Sequence, residues 1–153
     1  MAKFAFKFDL LLDHRRKLEE ERQRDVARLL RTKMIFEAEL RKMQETITLS
    51  KHDLADGLVG RVDLRRVAEF AGYSNHVTVR GQNLVMKLAE LEGHLQKARA
   101  KLLEATKERK ALELLKEKQY AVWRMAENKK EAAELDEIAT QRYARKLVLG
   151  GVS

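Results

Sequence analysis

The sequence predicts an all-α protein, a long antiparallel two-helix coiled coil (a helical hairpin) with a C-terminal single-helix overhang. Three observations predict it. Leu84, Leu88, Leu91, Leu95, Ala98, Leu102, Ala105 and Leu112 recur in alternating steps of four and three, interrupted only by Arg109. An average step of 3.5 residues keeps a narrow apolar seam on one side of a helix, and so thin a stripe needs a partner stripe. A second stripe, Val26, Leu29, Lys33, Phe36, Leu40, Met43 and Ile47, lies upstream and supplies that partner. Thirdly, the 153 residues contain no proline, few aromatics and 37% charged residues, so nothing forces a helix to break and little favours a sheet. One domain, residues 1–153, is the expectation.

Taken in order, the first helix is expected over about residues 5–56. Phe4, Phe6 and Phe8 alternate with Ala5 and Lys7, a period of two that briefly reads as strand. With no later strand to pair with, the segment reads instead as a fraying helical start whose rings pack across the pair. Leu11 and Leu18 then open the apolar stripe, which passes through Arg15 and Arg22. The steps of four from Leu18 to Arg22 to Val26 form a local stutter that unwinds a supercoil.

Residues 57–62 form the tip. Gly57 can adopt the left-handed conformation that closes a helix, and Gly60 gives a second flexible point. A short tip implies antiparallel neighbours, and Asp63 is placed to cap the next helix. That helix is expected over about residues 63–146. Gly72, Tyr73, Ser74, Asn75, Val77, Thr78, Val79 and Gly81 are mediocre helix formers, so a short helix followed by a loop is one reading of this region. The heptad register traced back from Leu84 lands on Gly81, Val77, Ser74 and Phe70 without a phase break, which favours one continuous helix. Folding the chain about Gly57–Gly60 sets Ile47 against Phe70, Leu40 against Val77, Leu29 against Leu88, Val26 against Leu91 and Leu11 against Ala105.

The first helix then runs out opposite about Leu112, where the clean seam of the second also ends. Beyond it the register reads Lys116, Gln119, Trp123, Ala126, Lys130, Ala133, Glu137 and Thr140, five of the eight polar. A single-helix overhang from about Lys116 to Lys146 follows, with a flexible tail over 147–153. At ~1.5 Å per residue the second helix extends on the order of 120 Å. Trp123, beside Val122 and Met125, has no facing helix in this arrangement. It reads either as a contact between two copies or as an anchor for another protein.

The net charge is +8, with acids and bases interspersed along the chain. Interspersion suits a salt-bridged, solvated helix surface. The basic clusters are His14-Arg15-Arg16-Lys17, Arg61 with Arg65-Arg66, Lys129-Lys130, and Arg142 with Arg145-Lys146. Two of them run directly into acidic stretches, Glu19-Glu20-Glu21 and Glu131, Glu134, Asp136 and Glu137, which weighs against a nucleic-acid surface. The N-terminus lacks the apolar run of a signal peptide and no segment is long enough to span a bilayer, so a cytoplasmic protein is expected.

No motif looks catalytic. Asp53, Asp56 and Asp63 do not match a calcium loop, and Gly57-x-x-Gly60 lacks the lysine and preceding strand of a phosphate loop. His14, His52, His76 and His94 are scattered and read as free surface histidines, and the absence of cysteine removes thiolate metal sites. Ser74, Asn75 and His76 adjoin, but a two-helix scaffold builds no rigid pocket for a nucleophile. No catalytic residue, metal or cofactor is expected.

The opening Phe6-Lys7-Phe8-Asp9-Leu10-Leu11-Leu12-Asp13-His14-Arg15 with Glu19-Glu20-Glu21, the later Leu114-Leu115-Lys116-Glu117-Lys118, and Glu134-Leu135-Asp136-Glu137-Ile138-Ala139 resemble the FliJ family of bacterial flagellar export proteins. The likeness covers nearly the whole chain, and the order and spacing of the motifs are more specific than any one of them. It implies a non-enzymatic component of the flagellar type III export apparatus, cytoplasmic and peripheral at the inner-membrane basal body. Such proteins are similar in shape to the stalk of rotary ATPases and insert the end bearing both termini into a hexameric export ATPase. They also engage the cytoplasmic domain of the export gate and handle export chaperones. On that resemblance Arg15, Arg16, Trp123, Arg124, Lys129, Lys130, Arg142 and Arg145 are the candidates for ATPase contact. Leu58, Val59 and Tyr73 are assigned to the gate from their place near the tip, not from a family motif. Nucleic acid is not expected as a partner, and membrane association is expected only through the apparatus. A virulence-type secretion stalk and a basic nucleic-acid-binding coiled coil are the alternatives.

Overall fold

A computed structural model describes residues 2–151. It is all-helical: α1 spans Asp9–Gly57 and α2 spans Leu64–Gly150, and no strand occurs among the described residues. The two long helices pack against each other as a helical hairpin. Contacts divide the chain into two units. One is built from the residues up to Arg16 and those from Lys107 onward, and the other is Lys17–Thr106.

In the Lys17–Thr106 unit the seam of α2 is continuous. Phe70, Ser74, Val77, Gly81, Leu84, Leu88, Leu91, Leu95, Ala98, Leu102 and Ala105 are all buried or half-buried while their neighbours are mostly exposed. The weak helix formers from Gly72 to Gly81 therefore do not break the helix: burial of one face outweighs local propensity. The facing stripe of α1, from Leu18 through Arg22, Val26, Leu29, Lys33, Phe36, Leu40, Met43 and Ile47, is half-buried throughout. Where that stripe carries a cation, the charge is answered at its rim. Lys33 Nζ lies 3.5 Å from Glu92 and Arg22 3.8 Å from Asp25.

The register differs from the expected pairing by about one turn. Leu40 reaches Gly81, one turn beyond Val77: its Cδ2 is 4.0 Å from where a Cβ on Gly81 would sit. Beside it Arg80 donates to Glu39 at 3.0 Å. The cause is the turn, which occupies residues 58–63 and is centred later than Gly57–Gly60. Gly60, with φ 97°, takes the left-handed conformation, which the sequence assigned to Gly57. Gly57 is instead the last residue of α1, and the amide of Leu58 closes it on the carbonyl of Ala55 at 3.2 Å. Asp63 caps α2, its Oδ1 accepting from the amide of Arg65 at 3.0 Å.

The other unit differs more from expectation. Residues 2–8 are not helical, and α1 begins at Asp9, not near residue 5. Three consecutive leucines follow, and Leu12 is the one fully buried, at 0% exposure, whereas Leu11 is exposed. Phe6, just before α1, is also buried, its ring edge-on to Phe8 at 5.8 Å. At its far end α2 continues through Gly150, so residues 147–150 are helical where a flexible tail was expected; Val152 and Ser153 lie outside the described residues.

Candidate protein-docking surface

The candidate residues near both termini fall into two environments. Arg15 is half-buried and paired with Glu108, and Arg16 reaches Glu113 at 3.4 Å and Asp13 at 3.7 Å. Arg109 pairs with the same Glu113 at 2.6 Å, and Lys116 bonds Asp9 at 2.7 Å while lying 5.8 Å from the centre of the Phe6 ring. These cations tie the first turns of α1 to α2. As partly exposed pairs each contributes at most ~1 kcal/mol. Their chemistry is therefore internal first, and a partner meets only the exposed parts of Arg15, Arg16 and Lys116.

Trp123 is the correction here. The sequence leaves it without an intramolecular neighbour, but its ring lies 5.8 Å from Phe4 and 5.7 Å from Tyr120, and Phe4 meets Tyr120 edge-on at 5.4 Å. The residue is half-buried. The reason is that residues 2–8 are not helical. A non-helical chain can cover up to ~3.3 Å per residue against ~1.5 Å in a helix, so it carries Phe4 further along α2 than a helical start could. Phe4 and Tyr120 were missed as site residues. The period-two spacing of Phe4, Phe6 and Phe8 was the signal that could have found them.

Beyond this cluster the surroundings change. From Asn128 to Gly151 every residue is exposed, so the solitary helix starts later than Lys116. Arg124, Lys129, Arg142 and Arg145 are exposed on α2 with no ion-pair partner among the described residues, while Lys130 lies 3.7 Å from Glu127. Leu135, Ile138, Tyr143, Leu147, Val148 and Leu149 are exposed among them. Charged and apolar side chains left bare along a helix are what a docking partner covers.

The third candidate set lies at the turn, in the Lys17–Thr106 unit. Leu58, Val59 and Tyr73 are all exposed. Behind Leu58 a cleft of about 200 Å³ is lined by Ser50, Asp53, Leu54, Gly57, Val62, Asp63, Arg66, Val67 and Phe70. Tyr73 borders a separate groove with Glu39, Lys42, Met43 and His76. No cluster of metal-ligating side chains occurs among the described residues. His52 lies 3.6 Å from Asp56, one helical turn on, a pairing passed over in the sequence.

A family model described as "Flagellar FliJ protein" matches residues 4–147. The chain belongs to the FliJ family. Membership makes it a component of flagellar protein export, in a family that is not catalytic. Neither a curated protein nor a solved structure gives a significant match. For a FliJ protein, the matched span includes the N-terminal aromatics and nearly all of the bare part of α2. Among the described residues no helix is long and apolar enough to cross a membrane.

Proposed function

We propose that this protein is a stalk-like coiled coil that binds a hexameric flagellar export ATPase, couples it to the cytoplasmic domain of the export gate, and handles export chaperones. It does so in the cytoplasm, at the inner-membrane basal body, without a cofactor. The observation that carries this reading is the bare stretch of α2 beyond the aromatic cluster, within the span that matches the family. Among the described residues Lys129, Arg142 and Arg145 are unpaired there, as is Arg124 just before it, and a ring lined with carboxylates would meet them. Lys130 adds to them, and Arg15 and Arg16 contribute from the first turns of α1. Trp123 acts with Phe4 and Tyr120 as one aromatic patch in place of a lone anchor. Leu58, Val59 and Tyr73 serve the gate.

The test separates docking from folding. A chain ending at Glu127 keeps the aromatic cluster and loses only exposed helix. Its thermal midpoint should stay close to that of the full chain, while its binding to the cognate ATPase falls at least tenfold. Unchanged affinity would remove the bare helix from the docking surface. The full chain should also raise the hydrolysis rate of the ATPase, and binding without any change in rate would count against coupling.

A further inference from the structure

The turn between the helices exposes more apolar surface than a solvated turn needs. Val59 is 85% and Leu64 78% exposed, and Leu58 and Val62 are each about half exposed. Arginines are interleaved with them. Arg61 and Arg66 have no ion-pair partner among the described residues, and Arg65 has only Glu69 at 3.8 Å. The one carboxylate of the segment, Asp63, is engaged in capping α2. Residues 58–66 thus present three cations against one acid, with aliphatic side chains between them; the neighbouring acids are Asp53, in the cleft with Arg66, Asp56, paired with His52, and Glu69.

We propose that this turn is an anchor for an anionic phospholipid surface. Val59 and Leu64 enter the headgroup layer, Leu58 and Val62 follow at its edge, and Arg61, Arg65 and Arg66 pair with phosphates. One feature favours lipid over an acidic protein partner. Val59 and Leu64, the two most exposed aliphatics of the turn, lie outside the lining of the cleft behind it, so they project outward and need a deformable apolar medium more than a groove. All three cations are arginine, whose planar fork binds phosphate, as it binds carboxylate, through two parallel hydrogen bonds. One short anchor is weak alone, which suits a contact that reinforces another attachment. The inference goes beyond the docking function and gives Leu58 and Val59 a second use that competes with the gate; it is tested apart from that function, because a vesicle contains neither ATPase nor gate.

The experiment is co-sedimentation of the full chain with vesicles of phosphatidylcholine alone and of phosphatidylcholine with phosphatidylglycerol. Binding is expected only with the anionic lipid and is expected to fall as salt is raised. Arg61→Gln, Arg65→Gln and Arg66→Gln should each weaken it about fivefold. Val59→Ser with Leu64→Ser should weaken it at least as much, with circular dichroism unchanged because both positions are exposed. In Val59→Trp, anionic vesicles should shift the added emission to the blue, and brominated phospholipid should quench it. Tip variants that sediment like the parent would overturn the proposal, as would loss of binding only on substituting Arg142, Arg145 and Lys146. Equal binding to soluble polyglutamate, with no shift in Val59→Trp, would assign the turn to an acidic protein and also overturn it.

Discussion

Leu12 and Leu11 differ by one position and by almost the whole of their environment: one is fully buried, the other exposed. Three leucines in a row satisfy any helical phase, so sequence periodicity alone could not choose among them. What chose was the start of α1 at Asp9 and the burial of Phe6 just before it. The same N-terminal segment decides the state of Trp123. Phe4→Ala should expose the indole, shifting its emission to the red and increasing its quenching by iodide. The change in melting midpoint should be small, because Phe4 itself is only half-buried. Unaltered emission would mean that the Phe4 contact does not persist in solution. Val59 and Leu58, by contrast, were legible as exposed from their place beside Gly60, since a tight turn has no room to bury them.

At the scale of the helices, the heptad steps made the seam of α2 legible almost residue by residue, down to Gly81, Ser74 and Phe70. A period is a property of one strand of sequence. Register is a relation between two, and it depended on where the turn is centred. The left-handed residue proved to be Gly60, and the facing residues moved by about a turn accordingly. The chain contains no cysteine, so the pairing can be tested without background. Leu40→Cys with Gly81→Cys should be joined within one chain by a short bifunctional maleimide at low protein concentration. Leu40→Cys with Tyr73→Cys, two turns away along α2, should react poorly. Products that join only separate chains would indicate a dimer in place of the hairpin. The end of the paired region was misplaced for a similar reason. Counting helical residues alone missed the non-helical segment that carries Phe4 to Tyr120 and Trp123.

For the molecule as a whole, the fold was legible because a proline-free chain with two matched stripes has few other ways to bury them. The proposed docking surface was legible only as composition. Which cations are free and which are spent on Glu108, Glu113 and Asp9 depends on contacts between residues about a hundred positions apart. Those separations carry a further consequence. Bonds between the helices join residues 41 apart at Glu39–Arg80, 59 at Lys33–Glu92, 93 at Arg15–Glu108 and 107 at Asp9–Lys116. Closing a longer loop costs more chain entropy, so each contact becomes inexpensive only after the one nearer the turn has formed. Folding should therefore zip outward from Gly60, with the aromatic clasp at Phe4 closing last. During synthesis α1 must wait, one face bare, until most of α2 has been made. Pulse-labelling hydrogen exchange should find amides near Leu40 and Leu84 protected before those near Leu12 and Leu112. The reverse order would place the nucleus at the termini and leave the turn a passive link.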